Sequence, residues 1–287
     1  MSIASVDQII SLITVDGKYF KAPFARATPA ATVAGKWSEF FTSVGTGGTG
    51  VLTGSAGVGT AMSSSTLGSI PQPQTNVSPS TKYLLTFLTS QGVATSGVNV
   101  LLTDFLYIYP SCVVTGTPTT LSNAASKPSR FNNGIGVKAS CIVASALGAA
   151  QPVLTTTYTN SDNTGSRTGN FAAAVNSEII GSILGGGSQG TQSGYSMGLQ
   201  AGDSGVKQLD SYTIASGTTG AVTFLLHRPI AAVVNTSPNA PGERDFLFQF
   251  PSLPIIPDDA CLGLLVYSNT SLASGRFVYG EIGCMWD

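Results

Sequence analysis

Between Ser5 and Ile13, apolar residues fall at Val6, Ile9, Ile10 and Ile13, the spacing of one helix face, and Ser5 is followed three positions on by Gln8 in a capping-box arrangement. This predicts one short amphipathic helix ending near Gly17, docked on the body or on a neighbouring subunit. From Lys18 onward the pattern changes to short apolar runs separated by Gly, Pro, Asn and Ser. The runs are "YLLTFLTSQ", "VNVLLTDFLYIYP", "IGVKASCIVAS", "PVLTTTYTN", "YSMGLQ", "VKQLDSYTIAS", "AVTFLLHRPIAAVV", "DFLFQF", "ACLGLLVYSN" and "RFVYGEIGCMW". Each has the length of a strand, is rich in β-formers and is bounded by turn residues. About ten strands in one chain predict an all-β fold, a β-sandwich or jelly roll.

Two stretches depart from this. Gly169 to Leu184 leaves room for a helical turn around Ala172 to Val175, between flanking glycines. Gly45 to Pro79 is low in complexity and carries Pro71, Pro73 and Pro79, which reads as an extended arm or long loop. The expected organisation is therefore a helix and a Gly/Ser-rich arm over residues 1–79, then a β-sandwich domain over 80–287.

Composition narrows the function. Only 9% of residues are charged, against roughly a quarter in an ordinary globular protein. A chain so poor in charge needs another way to cover its surface, and assembly with copies or partners is the natural one. The net charge of −1 and a pI near 5.8 give no electrostatic footprint for nucleic acid or an anionic membrane. Despite a mean hydropathy of +0.25, no apolar run approaches the ~20 residues that span a bilayer. The N-terminus has no basic region and carries Asp7 and Gln8 inside its apolar stretch, so it does not read as a secretory signal. Synthesis and assembly in the cytoplasm are expected.

The chemistry-bearing motifs are few. Gly45, Gly47 and Gly50 form a GxGxxG, but no helix-forming run follows and no acid occurs between Glu39 and Asp104. Close backbone packing, or a flat path over a partner, is the better reading. His227 is the sole histidine, sits before Arg-Pro and is expected at a strand end near an edge, without a GxSxG elbow to serve. Among the carboxylates only Asp258 and Asp259 adjoin, in a Pro-rich loop that reads as a solvated turn. Cys112, Cys141, Cys261 and Cys284 are far apart, so buried free thiols are expected rather than a zinc site. "YTNSDNTGSRTG", Tyr158 to Gly169, is the most turn-like segment, with Arg167 placed to hold it. No catalytic, cofactor-binding or metal-binding residue emerges. Trp37, Phe40 and Phe41 are the apolar anchors expected to meet a partner, with packing on the chain's own body as the equal alternative.

The opening "SVDQIISLITVDGKYFKAPFARATPAATVAGKWSEFF", then "LLTDFLYIYP", "RFNNGIGVKASCIV", "TTTYTNSDNTGSRTG", "LQAGDSGVKQLDSYTIASGTTGAVTFLLHRPIA" and the closing "GRFVYGEIGCMW" resemble virion structural proteins of tailed bacteriophages. They are most similar to capsid decoration, or cement, proteins. The resemblance implies a non-enzymatic protein on the capsid exterior, commonly a homotrimer where capsomers meet, which holds neighbouring major capsid protein subunits together. It carries over no catalytic residue and no cofactor. Rival readings are a tail-associated or receptor-binding protein that recognises a host glycan, and a neck or tail-tube subunit.

Overall fold

In a computed structural model the described residues are 3, 5–72, 76–92, 97–114, 116–148, 153–172, 178–186, 194–214, 219–237, 239–249 and 252–287. The helix forms as its pattern predicts: α1 spans Val6–Thr14, and the Ser5 hydroxyl oxygen accepts from the Gln8 amide at 3.2 Å. Ile9 and Leu12 are its buried face.

Fifteen strands follow among the described residues, and every pairing between them is antiparallel. They are β1 (Tyr19–Ala27), β2 (Lys36–Glu39), β3 (Thr60–Ala61), β4 (Lys82–Gln91), β5 (Val98–Val113), β6 (Thr119–Thr120), β7 (Lys138–Ser145), β8 (Val153–Asn160), β9 (Arg167–Ala172), β10 (Ile183–Gly186), β11 (Val206–Ile214), β12 (Ala221–Asn235), β13 (Gly242–Asp245), β14 (Leu262–Ser268) and β15 (Phe277–Trp286). The smaller sheet has the order β1-β15-β4-β13. The larger runs β2-β14-β5-β12-β7-β10-β9-β8-β11-β6, with β3 added beside β5.

Three cores result. The small sheet packs on β14, the first half of β5 and the second half of β12 around Phe87, Val100, Leu102, Val233, Leu264 and Ile282, as a sandwich. Past its midpoint the large sheet curls, so that β8, β9 and β11 return over β5, β7 and β12 and enclose Tyr109, Cys141, Tyr158, Phe171, Leu209 and Phe224. A third core around Phe41, Met62, Phe105, Ile142, Ile183, Leu225 and Leu265 lies on the other face of β5 and β12. There Ser38 of β2 bridges Ser182, just before β10, and closes the ring β2-β14-β5-β12-β7-β10.

This explains the apolar runs. β5 is sixteen residues long and almost wholly buried, because both of its faces are covered, so its sequence reads as continuous rather than alternating. β8 has one covered face, and burial alternates along "VLTTTYTN" residue by residue.

Some expectations need correction. "YSMGLQ" is irregular rather than a strand: Met197 donates its amide to Ala139 and its side chain enters a core, without a ladder. "DFLFQF" is not a strand either; the Asp245 carboxylate accepts from the Leu247 amide at 2.9 Å and turns the chain into the single helical turn α2, Phe246–Gln249. Ala172 ends β9, and the rest of the anticipated helical turn falls outside the described residues. Residues 1–79 supply β1, β2 and β3 to the two sheets, and Gly45 to Ile70 lie folded against the body rather than as a free extension.

Candidate functional site

The glycine-rich segment is built around one side chain. Arg26 on β1 is 1% exposed and donates to the carbonyls of Phe40 (3.0 Å), Thr46 (3.1 Å), Gly48 (2.7 Å) and Phe41. Glu39 answers it, accepting from the Phe41 and Thr42 amides at 2.6 and 2.9 Å and from the Thr42 hydroxyl. Burial lowers the Arg26 pKa and raises that of Glu39, and the charge of each opposes the shift in the other. The glycine amides are spent internally, Gly48 on Gly45, Gly50 on Phe41 and Gly68 on Gly47. No helix follows them among the described residues, so the GxGxxG lacks the helix N-terminus of a phosphate loop.

Phe40 and Phe41, expected as anchors on a partner, are both fully buried in the chain's own cores. Successive residues leaving β2 point to opposite faces, so Phe40 enters the sandwich core and Phe41 stacks on Phe105 at 4.9 Å in the ring core. Trp37 is half-buried against Tyr195 and Tyr267, with centroids 5.2 and 5.7 Å away. Of the three, it alone keeps a surface.

His227 is not at an edge. It sits within β12, between β5 and β7, and is fully buried. Thr103 Oγ1 lies 2.7 Å from Nδ1 and donates its own proton to the Arg228 carbonyl, so Nδ1–H donates to Thr103. Ser140 Oγ lies 2.8 Å from Nε2 and also faces the Tyr195 carbonyl. Burial, aided by Lys138, pushes the imidazole pKa down to about 3, so the ring is neutral. A serine beside a histidine is thus present, but no substrate reaches it.

The acids are likewise engaged. Arg130 grips Asp104 at 2.9 Å and Asp259 at 2.7 Å, and burial raises Asp104 to about 6 against the pull of that guanidinium. Lys36 pairs with Glu178 where both are buried, and Lys82 pairs with Asp258 at 3.0 Å. Tyr158, Asn160 and Arg167 converge on Asp203 and hold the turn-rich segment, as the position of Arg167 suggests. The four cysteines are free and buried, and burial raises Cys112, Cys261 and Cys284 to about 12.

What remains open to a partner is a surface. α1 and α2 lie on the outer face of the small sheet over Leu85 and Met285. They turn Val6, Ile10 and Phe248 outward, 48%, 51% and 78% exposed. Leu253 carries this face into an adjoining groove of about 420 Å³, lined by Asp104, Arg228, Pro229, Ile230, Pro254, Ile255 and Pro257. Sequence reasoning named the helix but missed α2 and the groove, since "DFLFQFPSLPIIP" reads as another strand and a loop.

No protein-family model and no curated protein matches the chain. Among solved structures it is similar to the infectious bursal disease virus VP2 subviral particle, at 10% identity over 99% of this chain and 87% of that one, with a TM-score of 0.22. The Gt strain structure of the same virus gives 10% identity, coverage of 97% and 86%, and a TM-score of 0.19. Its derived T=1 particles give 8%, 96% and 82%, and 0.20. TM-scores of this size fall short of a shared fold.

Proposed function

We propose that this protein is a non-enzymatic structural component of a tailed-phage virion, which decorates the capsid exterior as a homo-oligomer and bridges neighbouring major capsid protein subunits. The observation that carries the reading is where the charge goes. Arg26, Lys36, Glu39, Lys82, Asp104, Arg130, Glu178 and Asp287 are all buried, out of only 13 basic and 14 acidic residues. That leaves few charges to cover the surface of a chain this long, and the face bearing α1 and α2 presents apolar side chains. Such a face suits contacts made once and kept, and many weak copies of it add up through multivalency. Identification with a cement protein rests on the sequence resemblance.

The test is to mix purified protein with empty capsids that lack it, pellet the particles and image them by electron microscopy. The proposal expects ordered density at fixed lattice positions, with α1 toward the shell. A folded oligomer that leaves the shell bare sinks it and turns attention to tails and host glycans.

A further inference from the structure

Beneath the helix-bearing face, three side chains from separate segments meet, two of them buried and the third partly exposed. Lys82 opens β4 with its side chain fully buried. Its Nζ lies 2.6 Å from Oε1 of Gln72 and 3.0 Å from Oδ1 of Asp258. Gln72 is also buried, and its Nε2 donates to the Ala260 carbonyl at 2.7 Å. The amide orientation is therefore unambiguous, since an ammonium only donates and a carbonyl only accepts. Asp258 is fixed from the other side, where its Oδ2 accepts from the Val77 amide at 3.0 Å.

An amine that touches both a primary amide and a carboxylate has beside it the parts of an acyl transfer. We infer that Lys82 and Gln72 join in an intramolecular isopeptide bond, with Asp258 as the proton carrier. The lysine ammonium gives a proton to Asp258, which removes two charges from a poorly solvated place. The freed Nζ lone pair attacks Cδ of Gln72 and forms the C–N bond. Asp258 moves protons from Nζ to the amide nitrogen, the Cδ–Nε2 bond breaks, and the nitrogen leaves as ammonium. Asp258 ends as a carboxylate. Lysine ammonium plus amide becomes secondary amide plus ammonium, with no oxidant or reductant required. Holding the groups in place replaces a collision, which is what makes an unactivated amide reactive here. Asp258 is 28% exposed and opens the way out for ammonia.

The bond would tie the end of the glycine-rich covering to β4 as a covalent ring over residues 72–82. Purified wild-type protein, left folded for several days, is then unfolded in acid and weighed. The expected mass is below that of the sequence by one ammonia, about 17 Da. Trypsin should fail to cut after Lys82 and should release Trp37–Arg130 carrying that loss, since no other cleavable Lys or Arg lies between. Lys82→Arg and Asp258→Asn, folded by near-UV circular dichroism, should both show the full mass. Full mass in the wild type with release of Trp37–Lys82 overturns the inference. So does a loss of about 18 Da, which marks condensation of a lysine with a carboxylate instead, and a crosslinked Asp258→Asn removes Asp258 from the reaction.

Discussion

A buried ionisable side chain shows its placement through pH. Unfolded, His227 takes a proton near 6.5, but in the fold not until about 3. Between those values the unfolded chain binds the extra proton, so this residue lowers stability as pH falls, by about 1.4 kcal/mol per unit. Asp104 acts oppositely: its folded pKa of about 6 lies above its ordinary value of 3.8, so the folded state holds the extra proton between them and gains from acidification. In the wild type the two slopes oppose each other from about 6 to 3.8. His227→Gln removes one. Urea-unfolding free energies measured from pH 7 to 4.5 should show the wild type's advantage over that variant shrinking by about 2–3 kcal/mol. A gap independent of pH would mean that the imidazole takes its proton as readily in the fold as in the unfolded chain. None of this was legible beforehand, because "LLHRP" says nothing of which strands flank it.

At the scale of elements, the glycine-rich covering owes its path to close approaches. A Cβ at Gly50 would meet the Phe41 carbonyl and ring, whereas one at Gly116 would meet nothing. Gly50→Ala should therefore lower stability by about 2–4 kcal/mol in thermal or chemical unfolding, and Gly116→Ala by less than about 0.5. Equal effects would mean that the segment does not pack as described. The contrast also shows what a sequence displays. β5 and the first half of β12 were legible because both faces are buried there and the sequence is mostly apolar, and α1 because its cap and period agree. β1 was not: Lys21, Pro23 and Arg26 interrupt "YFKAPFARA", since the strand lies at an edge, where proline is tolerated, and its arginine serves carbonyls far along the chain. β2, β9, β10 and β13 are too short, or too rich in Gly and charge, to stand out. Glycine signalled close packing correctly but not its target, and the same uncertainty sent Phe40 and Phe41 inward when a partner was in view.

For the whole molecule, the outward side chains of α1 and α2 are the ones to alter. Ile10→Glu with Phe248→Glu should leave the unfolding temperature within a degree or two, because both are exposed. The pair should weaken capsid binding at least tenfold in a pelleting titration, about 1.4 kcal/mol or more. Unchanged binding would move the contact to another face. Deleting residues 1–79 would not isolate this contact, since it takes β1 and β2 out of the sheets.

β5 and β12 pass unbroken from the sandwich core into the curled one. At the usual rise, the sixteen residues of β5 span about 50 Å. The two cores are thus joined twice by covalent backbone, and nothing between them among the described residues resembles a hinge. A pull along that axis loads peptide bonds rather than side-chain contacts, and the ends part only when a strand is drawn out of its sheet. The molecule behaves as a tie rod: it holds whatever is fixed to its ends at a set distance, and under tension it unravels before it stretches.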